Sequence, residues 1–132
     1  MTIQGLDHFT VLTEDLETTR RFYAEVLGLR EGERPPFGFP GAWFYCRGRP
    51  VLHVIAGRDL PAQRSGVIDH MAFSATNKEE WKAKLQRHGI PFDLRRQPGT
   101  GVWQMFFLDP NGAKVELDFG DEPEKASAGA RG

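Results

Sequence analysis

Gly66-Val67-Ile68-Asp69-His70-Met71-Ala72-Phe73 repeats, in type and order, the opening stretch Gly5-Leu6-Asp7-His8-Phe9-Thr10-Val11. Each copy sets an Asp-His pair inside an apolar run, and the two histidines stand 62 residues apart. The helix expected after each copy stops at a glycine, Gly28 in the first and Gly89 in the second, with nearly the same spacing. A repeat of this length is a duplicated half-domain. Two such halves, each opening on a strand that carries one histidine, predict a pseudo-twofold molecule with His8 and His70 meeting near its axis.

Outward from the repeat, the residues of 3–12 alternate well enough for a strand, with Phe9 and Val11 on one face and Leu6, His8 and Thr10 on the other. Thr13 or Asp15 then caps a helix whose apolar positions Leu16, Phe22, Tyr23, Val26 and Leu27 recur at three- and four-residue steps. From Glu31 to Gly41 proline and glycine are too dense for a helix or an inner strand, so this is a loop carrying Phe37 and Phe39. Strands follow over 42–46 and 51–56, the second with Val51, His53 and Ile55 on one face.

After a linker of mixed Gly, Pro, Asp, Arg and Gln over 57–65, the second half repeats the plan. A strand over 67–75 precedes a helix that Asn77 caps in a box with Glu80, with Trp81 and Leu85 facing inward. Strands over 90–94, 102–108 and 113–119 complete it, the last two joined by a tight turn at Asp109-Pro110-Asn111-Gly112. On the final strand Lys114, Glu116 and Asp118 share one face. The fold class expected is α+β: paired βαβββ modules forming a curved mixed sheet around a metal-binding cleft, with helices on the outer face. One domain spans 1–120, module one 3–57 and module two 66–120, and the polar segment 121–132 is expected to be disordered.

Composition narrows the function. The chain has 132 residues, with 17 Lys and Arg against 18 Asp and Glu, a net charge of −1 and no long block of like charge. Nucleic acid is thereby an unfavoured partner. Its apolar runs are too short to cross a bilayer, and its first residues lack a basic stretch followed by an apolar one, so no membrane association and a cytoplasmic location are expected. Cys46 is the single cysteine, which excludes an intrachain disulfide and a thiolate metal cluster; it is expected to be packed and inert.

Any metal must then use nitrogen and oxygen. The cleft is expected to collect His8, His70 and Glu116, two neutral imidazoles and a carboxylate that suit a divalent first-row ion and leave positions open for substrate. Taken singly, each has a plainer reading, a hydrogen-bonded strand histidine or a solvated glutamate. Their coincidence in the duplication changes the weighting, because His8 matches His70 while His53 matches Glu116, 63 residues on. Phe37, Phe39, Trp43 and Tyr45 divide between core and substrate pocket wall.

At these residues the chain resembles the vicinal oxygen chelate superfamily, which includes glyoxalase I, extradiol ring-cleaving dioxygenases, fosfomycin-resistance transferases and bleomycin-resistance proteins. The resemblance covers roughly 3–119 and is carried by Asp7-His8-Phe9, Phe22-Tyr23 with Val26-Leu27-Gly28-Leu29, Asp69-His70-Met71-Ala72-Phe73, and Phe107-Leu108-Asp109-Pro110-Asn111-Gly112 leading to Val115-Glu116-Leu117. It implies that His8, His70 and Glu116 are the ligands of a divalent ion, that the substrate is a small molecule, and that the chain pairs as a homodimer. His53 separates the branches: glyoxalase I usually has glutamate there, whereas ring-cleaving dioxygenases have a histidine in this interval that handles protons. The resemblance thus favours an iron(II) extradiol-type dioxygenase acting on a chelating aromatic diol, with His53 as its acid or base. The alternatives are a glyoxalase I-like lyase or isomerase using manganese, nickel or zinc, and a metal-free protein that sequesters a ligand.

Overall fold

Alternating apolar positions close each half of the sequence into a mixed four-stranded sheet with one buried face. The computed structural model describes residues 1–120; the expected tail, 121–132, lies outside the described residues. In chain order the elements are β1 (Phe9–Thr13), α1 (Leu16–Arg21), β2 (Arg30–Gly32), β3 (Gly41–Cys46), β4 (Arg49–Ala56), β5 (Met71–Ala75), α2 (Lys78–Arg87), β6 (Asp93–Arg96), β7 (Trp103–Leu108) and β8 (Lys114–Phe119). The order βαβββ therefore occurs twice, as an α+β fold. No helix among the described residues is long and apolar enough to cross a membrane.

The chain forms two compact units. The first comprises Met1–Asp69 together with Leu108–Ala113, and the second His70–Phe107 together with the chain from Lys114 onward. The first sheet has strand order β1-β4-β3-β2, with β1 parallel to β4 and the other pairs antiparallel. Its core face holds Val11, Thr13, Ala42, Phe44, Leu52, Val54 and Ala56. The second sheet has order β5-β8-β7-β6, with β5 parallel to β8, and buries Met71, Met105, Phe107, Val115, Leu117 and Phe119. Side chains alternate along a strand, so burying these sets turns Trp43, Tyr45 and His53 to the opposite face of the first sheet and Gln104, Phe106, Glu116 and Asp118 to that of the second.

Both opening strands are shorter than the alternation predicts. β1 starts at Phe9 and β5 at Met71, leaving Ile3, Leu6, Val67 and Ile68 exposed. The reason lies in their partners. Phe9 pairs with Leu52, so continuing β1 would place Asp7 beside Pro50, which has no N–H to donate. Met71 pairs with Val115, so continuing β5 would run onto the turn before Lys114. β2 was hidden for the opposite reason: it is a three-residue edge strand with two charged residues, held by pairing with β3 rather than by an apolar face.

The helices depart from simple periodicity in two places. Asp15, not Thr13, caps α1, its Oδ1 accepting from the Thr18 N–H at 3.1 Å. Thr13 instead lies in the core, its hydroxyl hydrogen-bonded to Thr19 at 2.8 Å. After Arg21 the helix widens into a π-helical turn over Phe22–Val26, closed by Leu27 N–H to Phe22 O at 3.1 Å. The wider turn lets adjacent Phe22 and Tyr23 both be buried along with Val26 and Leu27. At α2 the capping box does not form: Asn77 sits at φ 66, ψ 62, and its side chain makes no cap hydrogen bond. Asparagine tolerates this left-handed conformation. Leu85 of α2 is fully buried, whereas Trp81 is half-buried with the Lys84 ammonium 5.2 Å from its ring centre. Cys46, at the end of β3, is exposed rather than packed.

The Asp109-Pro110-Asn111-Gly112 turn docks in the first unit through polar groups. Asp109 Oδ1 accepts from the N–H groups of Asn111 and Ala113, both at 2.8 Å, and Tyr23 donates its hydroxyl to Asp109 Oδ2 at 2.7 Å. Burial of Tyr23 pushes its phenol well above its ordinary range, and the Asp109 charge and hydrogen bond add to that. An unfolded tyrosine ionises near pH ~10. Stability from this group is therefore fully present below that pH and lost as pH rises toward the folded value. Tyr23→Phe is expected to cost about 1.5–3 kcal/mol in urea unfolding at pH 7, the worth of a hydrogen bond to a charged group, and to flatten the alkaline loss of stability. An alkaline limb as steep in the variant as in the wild type would contradict this.

Candidate active site

Each unit gathers polar residues on the face of its sheet opposite the core. In the first, β3 and β4 place Trp43 directly across from His53, and their rings stack at 3.9 Å between centroids. His8, just before β1, stacks on the other side of His53 at 3.7 Å. The Nδ1–H of His8 donates to Asp7 Oδ2 at 2.8 Å; a carboxylate only accepts, so this bond fixes the tautomer and leaves Nε2 with a free lone pair. The same hydrogen bond holds the Asp7 carboxyl below its usual range. His53 Nε2–H donates to the Pro50 carbonyl at 3.1 Å, which leaves its Nδ1 as a base. Burial lowers the His53 pKa, and the neighbouring His8 lowers it further, so His53 is neutral near pH 7.

In the second unit, Glu116 on β8 is buried, and its Oε1 lies 2.6 Å from His70 Nε2. Its other oxygen, Oε2, accepts from Gln104 Nε2 at 2.9 Å. Burial pushes the Glu116 carboxyl up, but hydrogen bonds with Asp118, Gln104 and His70 together outweigh it and hold the group below its usual range. Asp118, two residues on along the same face, is pushed up to about 6 by burial and by the adjacent Glu116. Its Oδ1 is buried without a hydrogen-bond partner. Phe106 stands edge-on to His70 at 5.7 Å, with Arg95 and Lys114 over its ring at 5.2 and 5.1 Å.

Among the described residues, no three histidine, cysteine or carboxylate side chains converge as a ready-made metal cage. The donor chemistry nonetheless fits a divalent ion. In the second unit His70 Nε2 and Glu116 Oε1 already face each other at 2.6 Å, and half-buried Asp118 beside them has a buried oxygen with no hydrogen-bond partner; in the first, His8 presents a lone pair oriented by its own carboxylate. The sequence singled out His8, His70, Glu116 and His53. It passed over Gln104 and the charge of Asp118 as it acts on Glu116, though alternation on β7 and β8 was enough to place both beside Glu116.

The expected pocket wall divides. Trp43 and Tyr45, with Glu33, Arg34 and Pro35, line a cleft of about 480 Å3 in the first unit. Phe37 and Phe39 are 39% and 38% exposed, stacked on each other at 5.2 Å, and Phe37 also meets Trp43 at 6.2 Å. The Arg34 guanidinium lies over both phenylalanine rings, at 5.1 and 5.0 Å.

Residues 5–117 match the family model described as the Glyoxalase/Bleomycin resistance protein/Dioxygenase superfamily. The chain is 28% identical over 122 residues to a protein named Glyoxylase I 4 in Arabidopsis thaliana, covering 87% of this chain and 70% of that one. It is 28% identical over 130 residues to the Glutathione transferase FosA of Serratia marcescens, covering 96% and 88%. Among solved structures it is similar to a putative glyoxalase family protein from Bacillus anthracis, with TM-score 0.76, 26% identity, and coverage of 91% and 98%.

Proposed function

Because the chain belongs to the Glyoxalase/Bleomycin resistance protein/Dioxygenase superfamily, we propose that it is a metal-dependent enzyme that holds a small chelating substrate on a divalent ion ligated by His8, His70 and Glu116. The observation that carries this reading is the buried Glu116 carboxylate, held by His70 at 2.6 Å and braced by Gln104. An acceptor-only group so placed is costly to bury unless a cation balances it. A bound divalent ion would act as a Lewis acid on the oxygens of the substrate. The protein side of the chemistry falls to His53: neutral, with Nδ1 free, it accepts a proton from the substrate and returns it. Trp43 and Tyr45 give the substrate its wall.

Proton transfer and addition are the reactions this arrangement favours. The named relatives, a glyoxalase and a glutathione transferase, belong to that polar chemistry, and they are the ground for preferring it to ring cleavage by iron(II). Nitrogen and oxygen ligands accept iron, manganese, nickel and zinc alike, so the ion is chosen by assay. Protein loaded separately with each ion is expected to turn over either a hemithioacetal of glutathione or a fosfomycin-type epoxide with a thiol, with no oxygen consumed. Oxygen uptake on a catechol by the iron(II)-loaded protein, with neither polar activity, would replace this reading with the extradiol one.

A further inference from the structure

The cleft beside Trp43 is lined by a cation, Arg34. Arg34 is half-buried and has no carboxylate partner among the described residues. One of its Nη2 hydrogens goes to the Phe39 carbonyl at 2.8 Å, and its guanidinium carbon lies 5.1 and 5.0 Å from the ring centres of Phe37 and Phe39. The rest of its donor fork remains for a ligand. Gly41 makes this position possible: a Cβ there would lie 2.8 Å from Arg34 Nη2 and 3.0 Å from its Nε.

The aromatic wall is equally fixed. Tyr45 packs against Gly32, where a Cβ would come within 2.7 Å of the ring, and its hydroxyl donates to the Glu33 carbonyl at 2.6 Å. Trp43 is held by its stack on His53. Two further guanidiniums surround the cluster, Arg30 over Tyr45 at 5.4 Å and Arg58 over Phe39 at 5.8 Å. Glu33 is the one carboxylate residue lining the cleft, and it is exposed to screening by water. The volume of about 480 Å3 suits a small organic molecule.

Resting on the reading of Trp43 and Tyr45 as the substrate wall, we propose that this cleft is an oxyanion subsite, in which Arg34 pairs with the carboxylate or phosphonate of a flat aromatic ligand. A planar guanidinium binds either anion through two parallel N–H groups, and its contacts within the loop mean that little freedom is lost when it does. Arg34 thus sets specificity for the charged end of the molecule.

The test titrates chelator-treated protein with benzoate, phenylphosphonate and the neutral benzamide, following the Trp43 indole N–H by NMR. At least one anion is expected to bind about tenfold more tightly than benzamide, and the tighter of the two identifies the preferred oxyanion. Arg34→Gln should reduce that anion to the level of benzamide, Arg34→Lys should fall between because it keeps the charge without the fork, and Arg58→Gln should bind as wild type. The proposal is overturned if neither anion outcompetes benzamide on the wild-type protein, a comparison that needs no variant to fold. It is also overturned if Arg34→Gln, shown folded by its NMR spectrum, binds the anions normally, or if Arg58→Gln weakens them equally. Failure of the metal reading would leave these titrations intact, since no ion is present in them, and the metal content of Arg34→Gln should equal that of wild type.

Discussion

Replacing His70 and Glu116 together by alanine is expected to strip the protein of divalent metal, weakening affinity by more than about 100-fold. That figure is the upper end of what loss of a residue that merely supports a ligand costs, and loss of the ligands themselves exceeds it. The pair supplies an imidazole and a buried carboxylate whose reactive atoms lie 2.6 Å apart, so removing it removes two of the three proposed contacts at once. Thermal unfolding gives a second readout. An ion present at 100 times its dissociation constant stabilises the wild type by about 2.7 kcal/mol, and the variant should gain nothing from the same addition. Gln104→Leu sits between these extremes: it unpins Glu116 Oε2, 2.9 Å away, without removing a ligand, and should cost about 10–100-fold in affinity. Variants that keep wild-type affinity would show that the His70 and Glu116 contact is a structural ion pair.

His53→Ala should leave metal content unchanged and lower turnover by about 10²–10⁴-fold, the usual worth of a general acid or base. The geometry separates His53 from the ligands it resembles in type. Its Nε2 is committed to the Pro50 carbonyl, and the ring is clamped between His8 and Trp43. Burial and His8 both depress its pKa, so the acid limb of the wild-type rate profile should lie below the ordinary histidine value of about 6.5 and vanish in the variant. Metal loss in His53→Ala would instead make His53 a ligand, in a site closer to that of glyoxalase I.

The duplication was readable because it is written twice: Asp7-His8 and Asp69-His70, the stops at Gly28 and Gly89, and the alternation on β4 and β8 all repeat. The two glycines do take the left-handed conformation, at φ 74 and φ 68, that a helix stop requires. What escaped was set by partners distant in sequence. β1 and β5 begin late because Pro50 and the turn before Lys114 offer them nothing to pair with, and the π-helical turn answers a demand to bury both Phe22 and Tyr23. The candidate site divided in the same way. His8, His53, His70 and Glu116 stand out by residue type, whereas Gln104 and Arg34 matter through what they touch. An arginine in a loop dense with proline and glycine gives no sign that it is seated against Gly41 and two phenylalanine rings.

The most direct test of the metal centre is elemental analysis of the protein purified under anaerobic conditions and loaded with a divalent ion, beside a His8→Ala, His70→Ala double variant treated identically. About one ion per chain in the wild type and almost none in the variant is the expected result. Full occupancy in the double variant, or no ion retained by the wild type, would contradict the assignment of His8, His70 and Glu116 as its ligands.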